Sequence, residues 1–132
     1  MKILLVEDSR ILRERLRIMI ADIPNTDLVA ETDNEGDAFR LLETHRPDIA
    51  ILDIRLRTGS GLSVLEYIKA NYPATVIMVL TNYAHTEYRS KCAELGAHYF
   101  FDKTRDIYAF EKLLLVYCQA EIDAQAKSAS LV

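Results

Sequence analysis

The chain has 132 residues, half of them hydrophobic, and 16 basic against 20 acidic side chains give a net charge of −4. That length predicts one domain with its own core, and the acidic balance argues against a general nucleic-acid binder. No stretch approaches the ~20 apolar residues of a membrane span. The N-terminus enters an apolar run without the basic region and cleavage site of a secretory signal. Cys92 and Cys118 lie far apart and match no metal-ligand spacing. They read as reduced core cysteines in a cytoplasmic protein.

Strand and helix patterns alternate along the chain. Residues 2–7 read as a buried strand, Lys2-Ile3-Leu4-Leu5-Val6, running into Glu7-Asp8. Residues 10–22 place Leu12, Leu16, Met19, Ile20 and Ile23 on one helical face, with Ser9 as N-cap and Pro24-Asn25 as the stop. A second strand covers Asp27 to Glu31. The helix over 35–45 turns Ala38, Leu41 and Leu42 inward and stops at Pro47. The third strand, 48–53, ends on Asp53. Gly59-Ser60-Gly61 opens a helix with Leu62, Leu65 and Ile68 inward. The fourth strand, 75–80, delivers Thr81. A helix over about 85–95 turns Tyr88, Cys92 and Leu95 inward, with Gly96 at C′. The fifth strand, 98–102, delivers Lys103. The last helix, about 106–124, has Asp106 as candidate cap and Phe110, Leu113, Leu114 and Tyr117 inward; 125–132 is expected to fray. Five βα units with strands apolar on both faces predict a doubly wound five-stranded parallel sheet with five helices.

The strand ends carry the chemistry. In a sheet of order 2-1-3-4-5 the first and third strands are neighbours, so Glu7, Asp8 and Asp53 converge in the crevice at the switch point. Clustered carboxylates repel unless neutralised, and Mg²⁺ suits an all-oxygen donor set. Lys103 brings an ammonium that can pair with Asp53, and Thr81 brings a hydroxyl. Carboxylate, cation, ammonium and hydroxyl together suit phosphoryl transfer onto the carboxylate. No Gly-rich nucleotide cradle is present, so the phosphoryl donor is expected to arrive on a partner.

On these residues the chain resembles the receiver domain of two-component response regulators, with its flavodoxin-like fold, over residues 1–124. Glu7-Asp8 matches the acidic pair and Asp53 the phosphoacceptor. Arg55 matches the position whose backbone carbonyl joins the metal ligands, and Gly61 the glycine opening the third helix. Thr81 matches the switch hydroxyl, Phe100 the switch aromatic and Lys103 the family lysine. The resemblance implies that Asp53 accepts a phosphoryl group from a histidine kinase or histidine phosphotransfer protein. Mg²⁺ would be held by Glu7, Asp8, Asp53 and the Arg55 carbonyl. Thr81, Asn82 and Lys103 would bind the phosphoryl oxygens, and Thr81 with Phe100 would switch a protein-interaction surface. It implies a signalling protein of the single-domain type, acting on a protein effector, with no direct nucleic-acid or membrane contact. Homodimerisation is expected through the face of the fourth helix, fifth strand and fifth helix, where Tyr83, Tyr99 and Tyr108 fall.

Several positions depart from the family pattern. Arg57 and Thr104 stand where prolines are usual, and Asn82 where a small residue is common. These leave the acceptor chemistry in place and bear on phosphoryl lifetime and switch amplitude. Arg10 and Arg13 on the first helix are candidates for kinase docking. Two alternatives stay open: a phosphorylation-independent interaction module of the same fold, and an aspartate-nucleophile phosphatase. The latter wants a second carboxylate two residues after the nucleophile, where this chain has Arg55.

Overall fold

Ten elements alternate along residues 1–130, the part described by the computed structural model. They are β1 (Lys2–Val6), α1 (Arg10–Ala21), β2 (Asp27–Thr32), α2 (Glu35–His45), β3 (Ile49–Leu52), α3 (Gly61–Asn71), β4 (Val76–Thr81), α4 (Thr86–Glu94), β5 (Tyr99–Asp102) and α5 (Ile107–Ser130). The strands form one parallel sheet in the expected order β2-β1-β3-β4-β5.

Strand alternation splits the core in two. Leu4, Val6, Ala50, Leu52, Ile77 and Val79 face α2, α3 and α4. Ile3, Leu5, Ile49, Ile51, Met78 and Leu80 face α1 and α5. Cys92 and Cys118 are buried in different clusters, on opposite faces of the sheet. Burial pushes the Cys92 thiol up to about 11, so it packs as a small apolar side chain.

Local chemistry sets the element ends. Ser9 Oγ accepts from the Leu12 amide (3.2 Å) and Asn34 Oδ1 from Asp37 (2.9 Å), each capping a helix start. Ser60 Oγ accepts from Leu62 N (3.1 Å) at the start of α3. Gly96, at φ 102°, takes the left-handed conformation that ends α4.

Two expectations at the C-terminal end differ. Asp106 does not turn its carboxylate into α5; Oδ2 accepts from Asp102 N (2.9 Å), because the tight turn after β5 brings that amide within reach. The helix also runs through 125–130, where fraying was expected. That stretch holds no Gly or Pro and is rich in Ala, so it sustains helical structure. Residues 131–132 lie outside the described residues.

Gly61 ties the fold to the site. Its amide donates to Ile54 O (2.7 Å). A Cβ there would lie 1.8 Å from the backbone oxygen of Asp53. Gly61→Ala is therefore expected to push back the β3–α3 turn and cost about 1–3 kcal/mol through overpacking. Denaturant midpoints of the two proteins measure this; an unchanged midpoint would show that the turn is not held by close packing.

Candidate functional site

Register brings the acids together. Val6 pairs with Leu52 across β1 and β3, so Glu7 and Asp53 emerge side by side. The ladder continues one step further, with Asp53 N donating to Val6 O (2.8 Å). On the other side Thr81 pairs with Asp102, and Lys103 N donates to Thr81 O (3.0 Å), which sets Lys103 at the same end of the sheet.

The Lys103 ammonium lies between the two carboxylates, 2.7 Å from Glu7 Oε1 and 2.8 Å from Asp53 Oδ2. All three side chains are buried. Burial alone pushes a lysine pKa down, but hydrogen bonds to Asp53 and Glu7 outweigh it and hold Lys103 above the usual lysine value. Burial raises the Glu7 carboxyl above its ordinary range, and the Asp53 charge adds to the effect. The remaining oxygens are also engaged: Glu7 Oε2 accepts from Ser9 N (2.9 Å) and Asp53 Oδ1 from Ile54 N (2.8 Å).

A crevice of about 120 Å³ opens over this group. Glu7, Asp8 and Ser9 line it from the end of β1, and Asp53 and Arg55 from the end of β3. Asn82 and Tyr83 enter from the loop after β4, and Lys103 closes it from β5. Asp8 is exposed at the mouth. The Arg55 guanidinium lies over the Tyr83 ring, 4.0 Å from its centroid, so two loops meet beside the mouth.

Among the described residues no group of three His, Cys, Asp or Glu side chains is arranged to hold a metal ion. The expected set of Glu7, Asp8 and Asp53 is thus not assembled as three ligands. The physical reason is Lys103, which occupies the space between Glu7 and Asp53, while Ser9 takes the other Glu7 oxygen. The donor chemistry at the mouth still fits a hard cation. Three carboxylates against the Lys103 ammonium and the Arg55 guanidinium leave the lining net negative, the carboxylates offer oxygen ligands, and Mg²⁺ needs only one or two of them because it keeps several waters.

Other candidates are placed as follows. Thr81 is buried, and its Oγ1 accepts from Tyr83 N (3.1 Å) within the loop, so it does not line the crevice. Phe100 packs in the cluster facing α4, with the Arg89 guanidinium 4.6 Å from its ring centroid. Arg13 folds back to donate from Nη1 to the Glu7 (2.7 Å) and Asp8 (3.2 Å) carbonyls, while Arg10 is exposed. Arg57, at a usual proline position, pairs with Asp33 (2.9 Å). The bonds among the described residues are all trans, including Lys103–Thr104. The expected tyrosine patch is divided: Tyr108 is 84% exposed, but the Tyr99 hydroxyl turns to that of Tyr117 (3.0 Å) inside the α5-facing cluster. Burial and that hydrogen bond push Tyr117 up to about 12. Sequence reasoning missed the Arg13 clamp and the Ser9 amide, because neither role has a residue pattern of its own.

Comparison with known proteins agrees with this geometry. The family described as "Response regulator receiver domain" matches residues 3–114. The uncharacterized transcriptional regulatory protein YhcZ of Bacillus subtilis is 28% identical over 74% of this chain and 45% of its own length. The DNA-binding transcriptional activator DevR/DosR of Mycobacterium tuberculosis is 30% identical over 65% of this chain and 40% of its own. The chain thus spans less than half the length of these relatives. A two-component response regulator of the LuxR family from Aurantimonas superposes with a TM-score of 0.81 at 28% identity, over 90% of this chain and 85% of that one. Among the described residues no helix is long and apolar enough to cross a membrane. With its family match, its strand order and its acids and lysine gathered at the strand ends, this chain belongs to the receiver domains of two-component response regulators.

Proposed function

We propose that Asp53 is the phosphoacceptor and that the chain takes its phosphoryl group from a phosphohistidine on a kinase or phosphotransfer protein. The observation that carries this reading is the buried Lys103 ammonium, 2.8 Å from Asp53 Oδ2 at the C-terminal end of the parallel sheet. An Asp53 oxygen attacks phosphorus, a P–O bond forms, and the P–N bond breaks with its electron pair returning to the imidazole nitrogen. Lys103 stays beside the acceptor and offsets the charge arriving on the phosphoryl oxygens. Asn82, at the crevice, supplies an amide donor.

Asp8, Asp53 and the Arg55 carbonyl would hold Mg²⁺, which when bound neutralises phosphoryl charge. Glu7 anchors the Lys103 ammonium together with Asp53 and adds its charge to the same site. The phosphoryl group adds about −1.5 to −2 charge. Thr81 then leaves Tyr83 N to donate to a phosphoryl oxygen, which draws the loop after β4 inward and frees space for Phe100. Signalling follows as a population shift of the α4–β5–α5 surface toward a protein effector. The Arg55–Tyr83 contact narrows one side of the mouth and limits the paths by which water reaches the acyl phosphate.

Asp53→Asn is expected to abolish labelling by acetyl phosphate with Mg²⁺. Wild-type labelling of that variant would place the acceptor elsewhere.

Lys103→Met leaves two buried carboxylates without an ammonium and is expected to cost about 3–5 kcal/mol. The loss shrinks as pH falls, because the Glu7 carboxyl, already raised by burial, takes up a proton and no longer leaves an unpaired charge. In the wild type the sign is reversed. Lys103 titrates above its unfolded value of 10.5, so its contribution is complete below that pH and is lost as pH climbs through the folded value. Denaturant melts across pH measure both; a pH-independent loss in the variant counts against the carboxylate account.

Arg10→Glu should slow transfer from a phosphohistidine donor and leave acetyl phosphate labelling unchanged. Arg13→Glu should slow both, because Arg13 holds the Glu7 and Asp8 carbonyls. Equal slowing of both donors by Arg10→Glu would remove the docking role.

A further inference from the structure

A site that takes a metal ion on its carboxylates must keep the chain's own cations off them. Asp8 is the acid most open to that competition. It is exposed at the mouth of the crevice, and among the described residues its carboxylate takes no hydrogen bond and no ion pair. The guanidinium groups around it are each held by something else. Arg13 donates from Nη1 to the Glu7 (2.7 Å) and Asp8 (3.2 Å) carbonyls, so it grips backbone. Arg55 lies over the Tyr83 ring, 4.0 Å from its centroid. Arg57 is bound twice to Asp33: its amide donates to the Asp33 carbonyl (2.9 Å) and its Nε to Asp33 Oδ2 (2.9 Å).

Strand order sets up that pair. Glu7 N donates to Thr32 O (2.9 Å), so the ends of β1 and β2 run side by side and Asp33 follows next to the segment that carries Asp8. Beyond it, Asn34 bridges Thr58 in parallel and Glu35 N donates to Thr58 O (3.0 Å). The β3–α3 loop is thereby laced to the β2–α2 loop, which sets Arg57 within the field of Asp8 as well as of Asp33.

Asp33 is well made to hold a cation. Its Oδ1 accepts from Asn34 Nδ2 (3.0 Å) and its Oδ2 from Arg57. The bonds from Asn34 and Arg57 hold its carboxyl below the usual carboxylate range, so it stays charged. The Arg57 side chain is 60% exposed and has room to move once released. Asp37, a further acid acting on it, already has Oδ1 bonded by Arg40 (3.4 Å) and Oδ2 by Asn34 (3.0 Å). Asp8 is the acid left open. A guanidinium there would fork onto the carboxylate and set a positive charge against any incoming cation.

We propose that Asp33 is a positioning residue for the cation site: it holds the Arg57 guanidinium off the Asp8 carboxylate, so that Mg²⁺ and not the chain's own arginine neutralises that acid. The inference rests on the reading of Asp8 as a Mg²⁺ ligand.

Titration of the full chain with MgCl₂ at about 0.15 M ionic strength, where charges beyond about 8 Å are screened, tests this. Amide NMR shifts at Asp8 and Asp53 give the half-saturating Mg²⁺ concentration. Asp33→Ala frees Arg57 and is expected to raise that concentration about fivefold or more. Arg57→Ala alone should not raise it, and Asp33→Ala combined with Arg57→Ala should return it to the wild-type value or below. Asp37→Asn removes a neighbouring acid but leaves Arg57 tied, and should change it less than about twofold. With acetyl phosphate, the Mg²⁺ concentration for half-maximal labelling should follow the same order, and the rate at saturating Mg²⁺ should stay that of the wild type. Circular dichroism melts confirm that each variant folds. Asp33→Ala binding Mg²⁺ as the wild type does, a double variant that does not recover, or equal weakening by Arg57→Ala or Asp37→Asn overturns the proposal. A wild type that takes up no Mg²⁺ removes the cation site itself and this inference with it.

Discussion

One ammonium between two buried carboxylates holds the working end of this molecule together. Parallel pairing of β1 and β3 forces Glu7 and Asp53 side by side, where burial and the neighbouring Asp53 charge both oppose the charged form of Glu7. Lys103 offsets that cost at 2.7 and 2.8 Å, and its own burial is compensated by the same two bonds. The arrangement is stable as a set and costly to break singly.

The surrounding structure serves that group through backbone bonds. Ser9 caps α1 with its side chain and supports Glu7 with its amide. Arg13, one turn into the same helix, clamps the carbonyls of Glu7 and Asp8. The start of α1 and the acidic end of β1 are therefore one unit, and an arginine that reads as a surface charge is part of its frame. On the opposite side Gly61 lets the α3 start press against the Asp53 carbonyl, where a methyl group has no room.

The two residues expected to switch are each engaged elsewhere. Thr81 is tied to its own loop through Tyr83 N, and Phe100 lies under Arg89 of α4. Both engagements involve the loop after β4 or the helix that follows it. In the proposed reading the phosphoryl group competes for Thr81 against one loop hydrogen bond, whose net value is about 0.5–1.5 kcal/mol. A charge-assisted bond is strong enough to win that exchange.

Much of the architecture was legible in the residues. Apolar runs set the five strands to within a residue or two, because a sheet covered on both faces admits only apolar side chains in its middle. Polar strand ends then located the crevice, and spacing brought Asp53, Thr81 and Lys103 into one pattern. What the residues did not disclose was which partner each polar group takes: Asp106 turning back to Asp102, Tyr99 turning to Tyr117, Lys103 reaching Glu7 as well as Asp53. The length of α5 was also misread, since fraying depends on helix propensity summed over a stretch and not on its polarity. Local periodicity is written in each segment, so the sequence by itself determined the elements, their order and the acids at their ends. Hydrogen-bond partnership is a competition among groups distant in the chain, and only the folded geometry decided it, because distance and desolvation are set by the sheet register and not by any segment alone.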